Sequence, residues 1–455
     1  MLHNRKRGNG PALALFASLT FLGCASDPPP RVILISVDTL RADHLGSYGY
    51  SRPTSPNLDA FASNALVFEN AIAQGAETVS TCTSLLTGFL PHETRAVRYH
   101  SMPHELETLP EMLQKSGYTT LAVVSNFVLR SKQGFSQGFS IYDETMVQRE
   151  QIRPLPERAA EPTTDRAIEL LREHKDDPLF MWIHYQDPHA TYSPPKRHAE
   201  PFLDPDREPR PLPLNKVMSG SLGIPRHQQL GENRDYHYYV SQYDGEIHYF
   251  DEQFGRLIGA LEELGIYDDA LIIFTADHGE NMGEHGYFFT HGENLYHGVT
   301  HVPLMVKHGN RLKGRRAEFV QHLDVVPTVM EFLGLTSDLP FRGHDLLQAT
   351  KGREIFSETA IWWSAEKWMY FVIRDGIKLI HRPTVNRFHL YDLNNDPEET
   401  RDLFNDPAYR ESVEEMQRAL ARLRTEDLLD LGPITPPDEM TEEEREKLES
   451  LGYVR

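Results

Sequence analysis

The chain has 455 residues, of which 39% are hydrophobic, and its 67 acidic and 46 basic side chains give a formal net charge of −21. A surface this acidic repels nucleic acid and anionic lipid headgroups, so a nucleic-acid-binding protein is excluded. The length suffices for one large domain and a smaller one.

The N-terminal residues are typical of an export signal. Arg5 opens a short basic stretch, and the apolar run 11–23 is too short to cross a bilayer. That run ends in Gly23 and Cys24 and is similar to a bacterial lipobox. We therefore predict a signal peptide over 1–23, a lipid on Cys24 and a tether over 24–30, which would place the protein on the periplasmic side of a bacterial membrane. An ordinary signal peptide cleaved nearby is the alternative.

Strand and helix patterns then alternate along most of the chain. This alternation predicts an α/β fold with a large, mostly parallel sheet flanked by helices. The predicted strands are 31–38, 119–126, 179–185, 271–276 and 303–307, and the predicted helices are 109–113, 164–174, 240–264 and 322–334. The stretch 201–231 has no apolar period, and we interpret it as a surface insertion near the mouth of a site.

The pattern changes in the last part of the chain. Residues 369–381 predict a hairpin that turns at Asp375 and Gly376, and a short strand at 391–393 and an amphipathic helix over 411–423 follow. We predict a catalytic domain over 31–335 and a small antiparallel C-terminal subdomain over 336–455.

Two of the predicted strands end in polar side chains. Asp277 and His278 follow one strand, and Asp38 follows another. The carboxyl ends of parallel strands meet at one edge of a sheet, where open α/β folds keep their active sites. Carboxylate and imidazole groups there can bind a divalent metal, and a Thr/Ser-rich turn from Thr78 to Gly88 is expected to meet them. The alternative for Asp277 and His278 is a plain turn with a hydrogen-bonded histidine.

Eight short motifs, in order along the chain, resemble the sulfatase family of the alkaline phosphatase superfamily. They are Ser36–Gly46, Thr54–Asp59, Ser84–Gly88, Asp187–His189, Tyr243–Ile247, Thr275–Glu280, Tyr391–Leu393 and Leu448–Val454. The last motif resembles the bacterial lipoprotein-like members. The resemblance implies the sandwich fold of that superfamily, bound metal, and attack on a tetrahedral anionic ester.

Thr78 occupies the position of the family's nucleophile, where many sulfatases carry a cysteine that becomes formylglycine. Cys82 falls at the arginine position of that motif, so the register does not make it the nucleophile. The resemblance implies one divalent metal on Asp38, Thr78, Asp277 and His278. Imidazole beside oxygen ligands favours Zn²⁺ or Mn²⁺, with Ca²⁺ or Mg²⁺ as alternatives.

Histidines complete the predicted site. His189 is the candidate general acid for the leaving oxygen, and His291 is a candidate donor to a substrate oxygen. The alternative for each is a structural or surface histidine. His184, His297 and His301 are unassigned and are expected to line the cleft or to hold a second metal.

Three functions are compatible with these residues. The first is a metal-dependent hydrolase of sulfate or phosphate esters with Thr78 as nucleophile, acting on a small-molecule, glycan or lipid ester. The second is a membrane-associated phospho-group transferase, because relatives with threonine at this position include lipoteichoic acid synthases. The third is a non-catalytic binding lipoprotein.

Overall fold

The structure is a computed structural model that describes residues 30–96, 102–149, 156–348, 352–359, 368–429 and 431. The predicted signal peptide, Cys24 and the motif at 448–454 lie outside these ranges. Within them, no helix is both long and apolar enough to cross a membrane.

Strands and helices alternate as predicted through most of the chain. The strands are β1 (Val32–Val37), β2 (Leu66–Ile72), β3 (Thr119–Val124), β4 (Ile141–Asp143), β5 (Gln148–Arg149), β6 (Pro156–Glu157), β7 (Leu179–Tyr185), β8 (Leu271–Ala276), β9 (Asn281–Met282), β10 (Phe288–Thr290), β11 (His301–Lys307), β12 (Gly314–Gln321), β13 (Ile355–Thr359), β14 (Met369–Arg374), β15 (Ile377–Arg382) and β16 (Arg387–Asp392). The helices are α1 (Pro56–Ala62), α2 (Thr78–Thr87), α3 (Pro91–Thr94), α4 (Leu109–Lys115), α5 (Ala160–Glu173), α6 (Lys196–Ala199), α7 (Tyr236–Glu263), α8 (His297–Thr300), α9 (Val325–Phe332) and α10 (Arg410–Thr425).

The main sheet has eight strands in the order β12-β2-β11-β8-β1-β7-β3-β4. The strands from β8 to β4 are mutually parallel, whereas β11 runs antiparallel to both of its neighbours. The reversal follows from the path of the chain. Residues 277–300 stay at the carboxyl edge after β8, so β11 re-enters the sheet from that same edge. The predicted α/β fold with a large, mostly parallel sheet is confirmed.

The central strands place two aspartates side by side. Every residue of β1 and β8 is buried, as expected for strands covered on both faces. Val37 pairs with Ala276 in the parallel register of these strands. Asp38 and Asp277 are the next residues of the two strands, and they therefore emerge together at the carboxyl edge.

The longest helix, α7, carries the apolar stripe that the sequence predicts. Tyr243, Phe250 and Phe254 are fully buried on it, so its aromatic residues belong to the core. The helix begins at Tyr236, earlier than predicted, because the Asp235 side chain accepts a hydrogen bond from the His237 amide and caps it. Gly265, at φ +71°, follows its end as a left-handed cap.

The predicted C-terminal antiparallel sheet is also confirmed, in the order β13-β14-β15-β16. Asp375 and Gly376 form the predicted turn between β14 and β15, with φ of +49° and +82°. One face of the sheet packs on α10, and the other packs on residues of the main unit such as Ile72 and Leu295. The backbone amide of Glu358 on β13 donates to the carbonyl of Gln74 at 3.1 Å. The domain division at 335/336 stays a prediction.

Candidate active site

Three predicted metal ligands meet at the carboxyl edge of the main sheet. Asp38, Asp277 and His278 are each fully buried, and one ligand atom from each lies within 4.8 Å of the others. Among the residues that the structure describes, this is the one grouping of acidic, histidine and cysteine side chains with metal-site spacing.

Each aspartate uses one oxygen for the scaffold and leaves the other without a partner. Oδ1 of Asp277 accepts hydrogen bonds from the backbone amides of Thr39 at 3.2 Å and His278 at 2.7 Å. Oδ2 of Asp38 accepts one from the side-chain amide of Asn126. In the described part of the chain, Asp38 Oδ1 and Asp277 Oδ2 have no hydrogen-bond partner although both are buried. Buried carboxylate oxygens without a partner are costly unless a cation binds them.

The imidazole of His278 presents its second nitrogen to the same space. Its Nδ1 lies 2.9 Å from the carbonyl oxygen of Gly279, an acceptor, so Nδ1 carries the proton. Nε2 therefore offers a lone pair, 3.6 Å from Asp277 Oδ2 and 3.9 Å from Asp38 Oδ1. Two carboxylate oxygens and one imidazole nitrogen fit a divalent ion such as Zn²⁺ or Mn²⁺.

The two carboxyl groups differ in their pKa. Burial alone would raise the pKa of Asp38, but the neighbouring His189, His184 and His278 outweigh it and hold the pKa below its usual range. Burial raises the pKa of Asp277, and the negative charge of Asp38 raises it further. The ionised form of Asp277 is therefore unfavourable unless a positive charge lies between the carboxyl groups of Asp38 and Asp277.

Thr78 is the first residue of α2, so the predicted Thr/Ser-rich turn from Thr78 to Gly88 is wrong. The stretch is a buried helix that Gly88 ends at φ +78°. Threonine is a weak helix former. Here its hydroxyls bond back to the preceding turn: Thr83 donates to the carbonyl of Val79 at 2.8 Å and Thr87 to that of Thr83 at 2.7 Å. These bonds satisfy the buried hydroxyls within the helix.

The helix points Thr78 at the metal-ligand group. Thr78 is 5% exposed, and its Oγ1 lies 3.4 Å from Nε2 of His278. Cys82 lies on the same helix, is fully buried, and has a pKa that burial raises far above its usual range. A buried thiol of this kind is a poor nucleophile, which agrees with the register argument against Cys82.

The structure places His291 beside the metal-ligand group and pairs it with Glu280, which the sequence analysis did not assign. Nδ1 of His291 lies 3.2 Å from Oε1 of Glu280, and Oε2 of Glu280 accepts a hydrogen bond from the Tyr192 hydroxyl at 2.9 Å. Burial lowers the pKa of His291, but Glu280 outweighs it and raises the pKa. The ring centroids of His291 and His278 are 4.6 Å apart.

His189 also lies beside His291, with ring centroids 5.3 Å apart. It is 8% exposed. Its Nδ1 lies 2.9 Å from the amide nitrogen of Gln186 and 3.1 Å from the carbonyl oxygen of Ala190. A proton on Nε2 would therefore be presented by a ring that local contacts hold in place.

The unassigned histidines fall in two places. His184 is fully buried beside Asp38, with Nε2 at 3.8 Å from Oδ2 of that residue. His297 and His301 stack on each other with centroids 4.4 Å apart, and Nε2 of His301 lies 2.8 Å from the carbonyl oxygen of Glu69. None of the three belongs to the described metal-capable grouping.

Two other segments flank the site. In the stretch 201–231, Ser221 forms a β-bridge with Tyr287, and the backbone amide of Gly220 donates to Glu293 at 3.0 Å. This stretch thus lies on the segment that carries His291. The C-terminal sheet reaches the same segment, because the Thr359 hydroxyl donates to the carbonyl of Gly292 at 3.4 Å.

Glu280 and Asn126 are the polar contacts that the sequence analysis did not assign. Glu280 lies inside the motif Thr275–Glu280, so its place in that motif was the available signal. Asn126 follows β3 at the carboxyl edge of the sheet, as Asp38 and Asp277 do after their strands. Its position at a strand end therefore marks Asn126 as a candidate site residue in the same way.

Comparison with known proteins agrees with this architecture. Residues 30–335 match the family described as Sulfatase, and residues 283–426 match the family described as N-sulphoglucosamine sulphohydrolase, C-terminal. An N-acetylglucosamine-6-O-sulfatase of Bacteroides thetaiotaomicron is 23% identical over 89% of this chain and 88% of its own length.

Solved structures share the fold. A protein bound to its substrate D-glucosamine-2-N,6-O-disulfate has a TM-score of 0.72 and 21% identity, covering 87% of this chain and 97% of its own. The phosphonate monoester hydrolase of Agrobacterium radiobacter has a TM-score of 0.70 and 22% identity, covering 87% and 95%. The family match spans more than half of the chain. The protein therefore belongs to the sulfatase family and is an ester-hydrolysing enzyme.

Proposed function

We propose that the protein is a metal-dependent hydrolase of anionic esters in which Thr78 is the nucleophile, and that it turns over phosphate esters faster than the matching sulfate esters. The observation that carries the proposal is the position of Thr78 Oγ1, 3.4 Å from Nε2 of His278, beside two buried carboxylate oxygens that lack partners in the described part of the chain. A purely structural threonine at the start of a helix has no need of such surroundings.

One divalent ion, preferably Zn²⁺ or Mn²⁺, would be held by Asp38, Thr78, Asp277 and His278. It would lower the pKa of the Thr78 hydroxyl and offset the charge of the ester. The described residues support one ion, because His297 and His301 contact each other and Glu69 instead.

The side chains of Thr78, His189 and His291 have separate roles in the proposed reaction. Thr78 Oγ, whose proton would first be released to solvent, attacks phosphorus or sulfur, and the bond to the leaving oxygen breaks as that oxygen takes a proton from His189. His291, held by Glu280, donates to an oxygen of the ester that gains negative charge. Water then attacks the phosphorus or sulfur of the threonine ester, His189 takes a proton from that water, and the bond to Thr78 Oγ breaks and restores the deprotonated oxygen.

The nucleophile decides the preferred substrate. Hydrated formylglycine has two hydroxyls, and its second one expels sulfate without a further attack on sulfur. Thr78 has one hydroxyl, so water must attack the intermediate, and this attack is harder at sulfur than at phosphorus. Family members and fold neighbours include both sulfatases and a phosphonate monoester hydrolase, so the fold does not choose between them. We expect a small-molecule or glycan ester as the substrate.

Two threonines of α2 give a matched test of the nucleophile. Thr78→Ala should lower turnover by roughly three orders of magnitude or more, because a covalent mechanism loses its attacking group. Thr83→Ala makes the same chemical change on the same helix, where the hydroxyl only donates to Val79, and should keep most of the activity. Thr78→Ser should keep part of it. Full activity in Thr78→Ala would end the proposal.

Rapid quenching followed by peptide mapping should locate a phosphate or sulfate group on Thr78. An adduct on another residue contradicts the assignment. Aryl phosphate and aryl sulfate substrates with the same leaving group then separate the two chemistries. A faster sulfate ester would keep Thr78 as nucleophile and overturn the substrate preference.

The N-terminal sequence supports a lipid anchor on Cys24 that would hold the enzyme at the periplasmic side of a bacterial membrane. Expression with a labelled fatty acid should mark the wild type and leave Cys24→Ser unlabelled. Equal labelling of both proteins, or of neither, would contradict lipidation at this residue.

A further inference from the structure

Three buried side chains form a hydrogen-bonded series that runs from the interior of the main sheet to Asp38. Ser36 on β1 pairs directly with His184 on β7, and Trp182 lies on the same strand as His184. All three are essentially inaccessible to solvent. The indole nitrogen of Trp182 lies 2.9 Å from Oγ of Ser36, which lies 2.8 Å from Nδ1 of His184.

Trp182 fixes the direction of every hydrogen bond in this series. The indole N–H can only donate, so Ser36 Oγ accepts that hydrogen bond. The Ser36 hydroxyl has no other acceptor among the described residues than Nδ1 of His184, so its proton lies on that hydrogen bond. The neutral imidazole then carries its own proton on Nε2. The opposite tautomer would leave the buried Ser36 hydroxyl without an acceptor, which is unfavourable.

That Nε2–H group faces the first metal ligand. It lies 3.8 Å from Oδ2 of Asp38, and in the described part of the chain it has no hydrogen-bond partner. The Asn126 amide donates to the same oxygen. Oδ2 thus has two N–H groups beside it, while Oδ1 has no partner and lies 3.9 Å from Nε2 of His278.

We infer that His184 is a positioning residue for the metal centre. Its Nε2–H group, set by Ser36 and Trp182, and the Asn126 amide attract Oδ2 of Asp38, so that Asp38 presents Oδ1 alone to the ion. The distance of 3.8 Å is that of a charge–dipole contact, longer than a hydrogen bond. Groups that orient metal ligands typically alter metal affinity when they are removed. The inference rests on the proposed metal centre and gives a role to a histidine outside the ligand set.

Two substitutions of His184 separate positioning from packing. His184→Leu removes the N–H group and should weaken Zn²⁺ binding, measured by competition with a chelator, by about 10- to 100-fold. His184→Gln keeps an N–H group on a side chain of similar reach and should recover most of the affinity. The activity of His184→Leu should rise towards that of the wild type at saturating metal. Wild-type affinity in a folded His184→Leu protein would overturn the inference, as would equal losses in both variants.

The tautomer provides a test that needs no metal and no catalysis. In protein labelled with ¹⁵N-histidine, the signals of His184 are those missing in His184→Gln, and they should show a protonated Nε2 and an unprotonated Nδ1. Ser36→Ala should disturb this pattern and weaken metal binding less than His184→Leu does. A protonated Nδ1 in the wild type would overturn the inference even if His184→Leu fails to fold. Failure of Thr78 as nucleophile would instead leave the tautomer and the affinity ratios unchanged.

Discussion

Two groups of charged side chains in this protein differ in whether their buried carboxylates have partners within the chain. In the metal-ligand group, Asp38 Oδ1 and Asp277 Oδ2 have no partner among the described residues. In the interface cluster of Glu93, Arg342 and Glu426, both carboxylates pair with the one guanidinium. Arg342 donates to Oε1 of Glu93 at 2.7 and 3.0 Å and to Oε2 of Glu426 at 3.0 Å.

This difference indicates that the first group is suited to bind a ligand, whereas the second group stabilises the fold. Glu93 completes its pairing with the backbone amide of Leu90, at 3.0 Å from Oε2. The interface cluster needs nothing from outside the chain, because it already holds the α3 region against the residues that follow α10. Under the proposed function, a cation would supply the missing partner of the metal-ligand group. Neutralising one acid in each group should therefore change the stability of the protein in opposite directions.

The largest effect is expected for Asp277→Asn. Metal binding should fall, and with it turnover by roughly three orders of magnitude, because a metal contributes several kcal/mol to such reactions. The metal-free variant should be at least as stable as the metal-free wild type at pH 7. The pKa of Asp277 is raised by burial and by Asp38, so its ionised form costs stability above that pKa. Elemental analysis and thermal unfolding without metal test both statements. Unchanged metal content would contradict the ligand assignment.

Glu93→Gln should act in the opposite sense on stability. It removes the buried carboxylate partner of the mostly buried Arg342, which keeps only the partly exposed Glu426, and losing hydrogen bonds to a charged group in this way costs about 1.5 to 3 kcal/mol. Adding Arg342→Met should recover part of that loss, since the guanidinium that lost its buried partner is then gone. Urea unfolding of the single and double variants measures the two changes. A Glu93→Gln protein as stable as the wild type would mean that the interface cluster contributes little.

A smaller, pH-dependent effect is expected at His92, which joins α3 to β13. Its Nδ1 lies 2.8 Å from Oε1 of Glu358. Burial lowers the pKa of His92, but Glu358 outweighs it and raises the pKa to about 9. Because this folded-state pKa lies above that of the unfolded chain, the stabilisation is fully present below about pH 6.5 and is lost as the pH rises through 9.

His92→Gln tests this link directly. The variant should be less stable than the wild type by about 1 to 2 kcal/mol at pH 6, and the difference should vanish near pH 10. Urea unfolding at several pH values provides the measurement. A difference that does not change with pH would show that His92 acts through packing and not through its charge.

The central part of the site could be predicted because short stretches of the sequence determine it. The strands β1 and β8 are continuous apolar runs, and a run of this kind that ends in Asp38 or Asp277 identifies both a buried strand and its polar end. The long helix α7 was predictable for the same reason, from the spacing of its apolar residues. The resemblance to sulfatases then added Thr78.

Other features depend on tertiary contacts that no local pattern shows. The edge strand β12 carries Arg315, Arg316 and Glu318, so its composition is that of a loop, and pairing with β2 makes it a strand. Helix α2 forms although its threonines disfavour helix, because burial and back-bonded hydroxyls outweigh propensity. The role of Glu280 depends on a contact with Tyr192, far away along the chain.

The C-terminal sheet also bears on how the enzyme can be recombined with its relatives. Strand β13 contacts two segments of the candidate active site, through Gln74 shortly before Thr78 and through Gly292 next to His291. A chimaera that takes this sheet from another sulfatase would replace contacts to both of those segments at once. The sheet and the two segments depend on one another through these contacts. We therefore expect substrate range to transfer between relatives only when all three parts are exchanged together.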